Sequence, residues 1–209
     1  MANEALEVRR ADPAIRALDM MIAVTGLALL SPGIALLAVA IRLTSRGPAF
    51  YRGERVGRGG RIFVMFKFRT LRQDAEERLG PYLGLELTRL TAAELTPVGR
   101  WLRSAYLDEV PQLWNVVRGE MSIVGPRPIR SVFFEQLCAE IPQYWQRLVV
   151  PPGITGFAQL RLPRDLSWRE KLAHDLEYVA DRSVKLYLSV VAATLGRLLV
   201  PRPRVERVA

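Results

Sequence analysis

From Met20 to Ile41 the chain carries no charged residue, a run of 22 positions. That is long enough for one helix to cross the hydrocarbon of a bilayer. The residues before it are polar and include Arg9, Arg10 and Arg16; Arg42, Arg46, Arg52 and Arg55 follow it. Cationic flanks on both sides place both ends on the cytoplasmic face by the positive-inside rule. Ser31-Pro32-Gly33 interrupts the middle, where proline removes a backbone donor and crowds the preceding turn. Two readings meet these facts: a kinked spanning helix, and a re-entrant hairpin that enters and leaves by one face. In the second, the Ser31 hydroxyl is a local partner for a freed backbone group. Asp19 is expected at the interface or paired with Arg16, because a carboxylate deep in lipid is costly. The long leader contains acidic residues and no small-residue cleavage site follows, which argues against a cleavable signal peptide.

Beyond Arg42 the pattern changes. Gly57, Gly59 and Gly60 mark turns. Ile62–Thr70 reads as a strand with Lys67 and Arg69 on one face, suited to an anion or to a solvated edge. Gln73–Leu87 reads as helix and loop, broken by Gly80-Pro81. Thr96–Arg103 starts a helix on which Arg100 and Arg103 share a face. Gln112–Gly119 is a short amphipathic helix stopped by its glycine, and Met121–Val124 is extended. In Gly125-Pro126-Arg127-Pro128 the prolines fix the backbone around Arg127, which suits phosphate recognition or a tight structural turn. Ile129–Gln146 predicts one or two amphipathic helices. Val149–Leu160 is a proline-glycine loop without periodicity. Trp168–Tyr187 has helical spacing, with Leu172, Leu176 and Val179 on a shared face. Ser183–Val200 is apolar but interrupted by Lys185 and Arg197; it fits a helix at the membrane interface or packed on the N-terminal segment. Together these predict a mostly α chain with a small β element: a membrane-associated α+β globular domain with an N-terminal re-entrant helix hairpin and interfacial amphipathic helices.

Composition narrows the partners. Half of the 209 residues are hydrophobic and the formal charge is +9. The cations are almost all arginine; Lys67, Lys171 and Lys185 are the only lysines. A basic excess points to an anion: nucleic acid, anionic lipid or a phosphorylated substrate, or else to a generally basic surface. Arginine suits bidentate phosphate contacts. No nucleic-acid-binding motif is present, nor a Walker lysine motif, a dinucleotide fingerprint or an internal repeat. Cys138 stands alone, which excludes an intrachain disulfide and a cysteine zinc cluster. The single histidine, His174, lies in a helical surface sequence and nothing marks it as catalytic. A metal here would be hard and oxygen-ligated, such as magnesium.

The chemistry concentrates at Asp108-Glu109. Arg100 and Arg103 precede the pair; Arg118 and Arg127 follow it. An isolated Asp-Glu pair is ordinarily a charged helix start, here with Pro111 in the first turn. Among so many arginines it also reads as a phosphate site whose carboxylates would hold magnesium. Phosphoryl transfer needs charge neutralisation and positioning above all. A carboxylate can attack phosphorus to form an acyl phosphate, and the neighbouring cations are expected to keep Asp108 ionised.

These residues carry a family resemblance. Residues 108–128, Asp108-Glu109-Val110-Pro111-Gln112-Leu113-Trp114-Asn115 through Gly125-Pro126-Arg127-Pro128, closely resemble the signature of the bacterial sugar transferases, monotopic phosphoglycosyl transferases that act on polyprenyl phosphate. The likeness extends to Lys67-Phe68-Arg69-Thr70, to Arg103, to Pro152-Gly153-Ile154-Thr155-Gly156 and to Ser31-Pro32, and covers about residues 12–195. It is closest to the small single-domain members. It implies a phosphotransferase that moves a phospho-sugar from a UDP-sugar to undecaprenyl phosphate and releases UMP, starting membrane-bound glycan assembly. It implies Asp108 as nucleophile through a covalent aspartyl phospho-sugar, and Glu109 as its assistant, deprotonating the incoming polyprenyl phosphate. Both would serve magnesium. Lys67, Arg69, Arg103, Arg127 and Gln159 would bind substrate, and Ser31-Pro32 would break a re-entrant helix. The implied organisation is a membrane helix region over 1–46, a catalytic domain over 47–200 and a disordered tail over 201–209. The implied location is the cytoplasmic face of the bacterial inner membrane. The partners are UDP-sugar, undecaprenyl phosphate and membrane lipid, with no nucleic acid; a homo-oligomer is left open.

Two departures bear on the donor. Pro151 stands where the family commonly has arginine before Pro-Gly-Ile-Thr-Gly. Gln159 is followed by Leu160-Arg161-Leu162-Pro163 rather than an Asn-Gly-Arg-like segment, so Arg161 or Arg164 is the candidate replacement cation. The competing reading is a non-enzymatic, basic membrane-surface module, which explains the charge and the apolar segment but not the acidic pair.

Overall fold

The computed structural model describes residues 9–75, 78, 90–161 and 167–199. Gly80-Pro81, Arg164 and the tail 201–209 lie outside the described residues. The chain opens with α1 (Ala11–Thr44), which is long and apolar enough to cross a membrane by length and composition. Helical structure runs through Pro32 without interruption. Proline at position 32 cannot donate to the carbonyl of Ala28, four residues back. The Ser31 hydroxyl donates to that same carbonyl at 2.9 Å and takes the place of the missing N–H.

Both limbs of α1 rest on the globular body. On the first, Ile15 and Ala23 enter the main core. Arg16 donates to the carbonyls of Val116 (2.7 Å) and Val117 (3.0 Å), the last residues of α3 (Gln112–Val117). Cationic donors are favoured at such carbonyls. Asp19 forms no ion pair with Arg16, contrary to one of the two sequence expectations. It is buried and accepts from Ile123 N (2.8 Å), Tyr187 Oη (2.9 Å) and Ser122 Oγ (3.0 Å). A buried carboxylate needs such donors, and no pattern along the helix names residues a hundred positions away. On the second limb Ile41 packs with Ala49, Phe68 and Leu102. Between the limbs, residues 28–33 are exposed on every side of the helix.

The predicted strand forms one half of a hairpin. β1 (Phe50–Val56) pairs antiparallel with β2 (Ile62–Phe68), with Phe50 opposite Phe68 and Val56 opposite Ile62. The turn between them contains Gly59 (φ 64°) and Gly60 (φ 80°), backbone that favours glycine. A second, parallel pair joins β3 (Ser122–Val124) to β4 (Gly153–Thr155). β4 lies in the stretch that reads as an irregular proline-glycine loop. Three residues give no period to detect, and its partner is distant in sequence. A Cβ on Gly153 would collide with the backbone of Gly125, so the glycine is required by close approach.

The remaining length is helical. α2 (Pro97–Ser104) begins with proline in its first turn, and Thr96 Oγ1 accepts from Gly99 N at 2.9 Å. α4 (Ser131–Glu140) and a 3-10 segment (Pro142–Val149) occupy the amphipathic stretch from 129. α5 (Phe157–Arg161) is one short turn. α6 (Trp168–Asp181) starts with a capping box between Ser167 and Glu170. The predicted helix to Tyr187 divides at Arg182, which turns inward to bind Asp12 at 2.8 Å. α7 (Val184–Leu199) buries Tyr187 and Val190 in the main core and leaves Leu188, Leu195 and Leu198 exposed.

Candidate active site

The acidic pair does not start a helix. Leu107–Glu109 is a single 3-10 turn between α2 and α3. Tyr106, immediately before it, has φ 57°, a left-handed conformation that is uncommon for a bulky side chain. Such backbone clusters at functional sites. The reversal at Tyr106 ends α2 and directs Asp108 inward, where it is buried.

Lys67 arrives from β2. Its Nζ lies 2.7 Å from Glu109 Oε1. Asn115, fully buried on α3, sets that distance. Its Oδ1 accepts from Phe66 N at 2.9 Å, and its Nδ2 donates to the Val64 carbonyl and to Glu120 Oε2, both at 2.7 Å. One amide thus ties β2 to the helix that follows the acidic pair. Asn115 stands in the quoted motif, but sequence reasoning assigned it no role; an asparagine on an otherwise apolar short helix was the available signal.

Arg127 arrives from the loop after β3. Its Nη2 lies 3.4 Å from Glu109 Oε1, and its side chain is 56% exposed. The loop backbone is tied at two points: Gly153 N donates to the Pro126 carbonyl and Arg147 Nη2 to the Arg127 carbonyl, both at 2.9 Å. Arg147 is buried and pairs at 2.6 Å with buried Asp175 on α6. This pair carried no signal in the sequence, because its members are 28 positions apart on different elements.

The other expected residues spread along the same cleft. Arg103 Nε donates to Thr70 Oγ1 at 2.9 Å. α2 comes this close because Gly99 packs on the Thr70 backbone with no room for a Cβ. Arg69 lines the cleft, but its guanidinium is committed to the end of α1. It donates to the Ser45 carbonyl (2.9 Å), to Ser45 Oγ (2.7 Å) and to the Arg46 carbonyl. In this arrangement Arg69 anchors the C-terminal end of α1. Gln159, on α5, donates from Nε2 to the Ile154 carbonyl at 3.3 Å, and its Oε1 is buried without a partner. Arg118 pairs with Glu120 at 3.0 Å, away from the acidic pair. Arg161 pairs with Glu177 at 2.7 Å, and His174 contacts the same glutamate at 3.1 Å.

The two adjacent carboxylates are driven in opposite directions. Burial works against ionised Glu109, but Lys67 and Arg127 overcome it and hold the carboxyl at about 2. For Asp108 burial prevails and pushes the carboxyl up; Glu109 adds to this, while Lys67, Arg103 and Arg127 oppose it. Neighbouring cations favour the ionised form of Asp108, as expected, while burial raises its carboxyl above the ordinary aspartate value. Lys67 is itself drawn down by burial, against the pull of Glu109 and Asp108. Burial lowers Lys67 although its partner's charge favours the ammonium; the ionised Glu109 is the firm outcome of the pair. Neighbouring acids pushed apart in this way are a mark of assigned roles in catalysis.

Comparisons with known proteins place the chain in a family. The family described as bacterial sugar transferase matches residues 10–201. A UDP-glucose:undecaprenyl-phosphate glucose-1-phosphate transferase from Caulobacter vibrioides is 39% identical over 191 residues, covering 88% of this chain and 69% of that protein. A UDP-N-acetylgalactosamine-undecaprenyl-phosphate N-acetylgalactosaminephosphotransferase from Aeromonas hydrophila is 36% identical over 187 residues, covering 88% of this chain but only 43% of that protein. The exopolysaccharide production protein PSS of Rhizobium leguminosarum bv. phaseoli is 32% identical over 191 residues, 86% of this chain and 92% of that protein. With one match over nearly the whole length, the chain belongs to the bacterial sugar transferase family.

Proposed function

We propose that this chain is a phosphotransferase that moves a sugar 1-phosphate from a UDP-sugar to undecaprenyl phosphate, releases UMP and starts a membrane-bound glycan. The observation that carries this reading is the buried Asp108 beside an ionised Glu109 that is clasped by Lys67 and Arg127. An Asp108 oxygen attacks the phosphorus that bears the sugar. The bond from that phosphorus to the UMP oxygen breaks, and UMP leaves with the electron pair. An oxygen of undecaprenyl phosphate then attacks the same phosphorus, the acyl phosphate bond breaks, and Asp108 is regenerated.

The cations account for the timing. In the resting site Glu109 is too acidic to accept a proton near neutral pH. A bound diphosphate shares Lys67 and Arg127, which weakens their hold on Glu109 and raises its basicity. Glu109 then takes the proton from the incoming lipid phosphate. Asp108 and Glu109 are hard oxygen donors of the kind magnesium takes together with substrate phosphates. Among the described residues no group of three or more His, Cys, Asp or Glu forms a separate metal site. Magnesium would there supply charge neutralisation for the diphosphate. The sugar differs among the names of the relatives, and none is assigned to this chain.

The membrane reading is a re-entrant α1 at the cytoplasmic face of the bacterial inner membrane. It is supported by packing of both ends of α1 on one globular body, an exposed middle at 28–33, and arginines flanking both ends. From Val24 to Pro32 a limb extends about 12 Å at 1.5 Å per residue, close to one leaflet of a core about 30 Å thick. Exposed Leu29, Leu30, Leu36 and Val39 clothe that region. The lipid phosphate then meets the cleft at the interface.

The deciding experiment is a UMP-release assay with a panel of UDP-sugars, undecaprenyl phosphate and magnesium. Wild-type protein should turn over at least one donor, and Asp108→Asn should abolish release while membrane association survives. An Asp108→Asn protein of full activity would refute the reading.

A further inference from the structure

Arg16 and Asp19 stand three positions apart on α1 and so share one face of that helix. Arg16 donates to the carbonyls of Val116 and Val117 and holds the C-terminal end of α3, the helix that follows Glu109. Asp19 holds β3. A single oxygen, Oδ1, accepts from Ile123 N at 2.8 Å, from Ser122 Oγ at 3.0 Å and from Tyr187 Oη on α7 at 2.9 Å. The side chain that does this is buried.

The strand needs such a hold. It pairs with β4 in a sheet of two strands, and two-stranded pairs are marginal in water on their own. β4 is tied to α7 in turn, with Thr155 Oγ1 and Thr194 Oγ1 2.8 Å apart. Ile123 lines the cleft, and the chain beyond it runs through Gly125 and Pro126 to Arg127, whose Nη2 stands 3.4 Å from Glu109 Oε1. The bonds from Gly153 N and from Arg147 fix that loop to β4 and to the 3-10 segment. Asp19 fixes the strand leading into it to α1. One helix is thus the common frame for both sides of the contact: Arg16 seats the element after the carboxylate, and Asp19 seats the element before the guanidinium.

We infer that Asp19 is a positioning residue for phosphoryl transfer: by holding β3 on α1 it sets where the loop beyond β3 presents Arg127 to Glu109 and to the donor diphosphate. The inference rests on the transferase reading above. Asp19 makes and breaks no bond in the reaction and acts only through Arg127. What it supplies is an acceptor at one fixed point. Burial makes that point exacting, because an interior N–H without a partner is costly, so β3 is held where Ile123 N meets Oδ1. The helix that carries this carboxylate is also the one long and apolar enough for a membrane. The segment suited to lipid is therefore part of the frame of the phosphate site.

The test uses Asp19→Ala and Asp19→Ser in the full chain, each alone and combined with Arg127→Ala, beside Asp19→Asn, which keeps an oxygen at Oδ1. The donor is whichever of UDP-glucose, UDP-galactose and UDP-N-acetylgalactosamine the wild type turns over best. The readout is covalent phospho-sugar formation in a single turnover, well below the unfolding midpoint of each variant. Asp19→Ala should slow that step about 30-fold, on the scale of a displaced group. Asp19→Asn should stay within about fivefold of wild type, because all three donors keep their acceptor. In the Arg127→Ala background Asp19→Ala should cost at most about threefold more, since the group it places is already gone. Full additivity with Arg127→Ala would overturn the inference, because a purely structural role does not depend on Arg127. So would Asp19→Ala and Asp19→Ser both within about threefold of wild type, or an Asp19→Asn as slow as Asp19→Ala. Unfolding of both the alanine and the serine variants would assign Asp19 to stability and overturn it too. A wild type that releases no UMP fails the transferase reading itself; an active wild type with an additive cycle fails only this inference.

Discussion

Lys67 Nζ and Glu109 Oε1 meet at 2.7 Å although 42 positions separate them, and the Asn115 amide bridges the strand of one to the helix beside the other. The pair is mostly shielded from water, so its removal differs from removal of a surface ion pair. Lys67→Met should leave Glu109 buried with only the longer Arg127 contact. We expect a loss of about 3 kcal/mol in denaturant unfolding, the lower end of the range for breaking a buried pair, since Arg127 remains. Turnover should fall at least about 100-fold. The acid sensitivity should change as well. Glu109 is held at about 2, below an ordinary glutamate. Its stabilisation is therefore present above the unfolded carboxylate range and is lost as pH falls through that range toward about 2. Urea unfolding followed over that interval should show a shallower loss in Lys67→Met than in wild type.

Asp108 gives the opposite sign. Its carboxyl is raised by burial, and a nucleophile must be ionised. Single-turnover formation of the intermediate should decline on the acid side at a pH above the ordinary aspartate range. The same shift makes stability greatest below the unfolded aspartate range and lowers it as pH rises through the raised folded value. Asp108→Asn should abolish that portion of the stability profile along with turnover. An acid limb lying in the normal aspartate range would count against the buried nucleophile.

The Arg147–Asp175 pair holds the Arg127 backbone. Asp175→Asn leaves a buried guanidinium without its counter-charge and should cost about 3–5 kcal/mol of stability. Replacing both partners, Arg147→Met with Asp175→Leu, should restore most of that stability, since buried pairs are commonly replaceable by apolar ones. Activity should stay about tenfold low in the double variant, because the contact to the Arg127 carbonyl is gone. Combination with Arg127→Ala should then be less than additive. Full additivity in that cycle would separate the pair from Arg127.

Hairpin and span differ in where the ends of α1 emerge. In a Cys138→Ser background, Arg10→Cys and Arg46→Cys should both react with a membrane-impermeant thiol reagent from the cytoplasmic side only. Labelling from opposite sides would establish a true span. Pro32→Ala restores the N–H that the Ser31 hydroxyl replaces at the Ala28 carbonyl. If a hairpin is the bound form, Pro32→Ala should weaken membrane association more than Ser31→Ala does.

How much was legible in the sequence follows from the range of each interaction. The apolar run, the strand at 62–68, the helix start near Thr96 and the helix at 112–117 are local patterns, and all were readable; the break expected at Ser31-Pro32 does not appear, because the Ser31 hydroxyl takes over the carbonyl that proline leaves. The motif around Asp108-Glu109 named the candidate site, along with Lys67, Arg103 and Arg127. What could not be read was division of labour. Arg69 looks as fit for an anion as Lys67, two positions earlier on the same strand, yet it clamps Ser45 and Arg46. Asp19 looked like an interfacial charge and is an interior acceptor for three donors.

The chain by itself therefore determined which chemistry is present: two adjacent carboxylates, many guanidiniums, no competing nucleophile and an apolar segment to meet a lipid. Tertiary structure alone decided in which direction each carboxylate is shifted. Asp108 and Glu109 are neighbours with nearly the same side chain. Burial disfavours the charge on both, and only the 2.7 Å approach of Lys67, with Arg127 behind it, reverses that outcome at Glu109. Coulombic compensation depends on distance and desolvation together, and neither is a property of residue order.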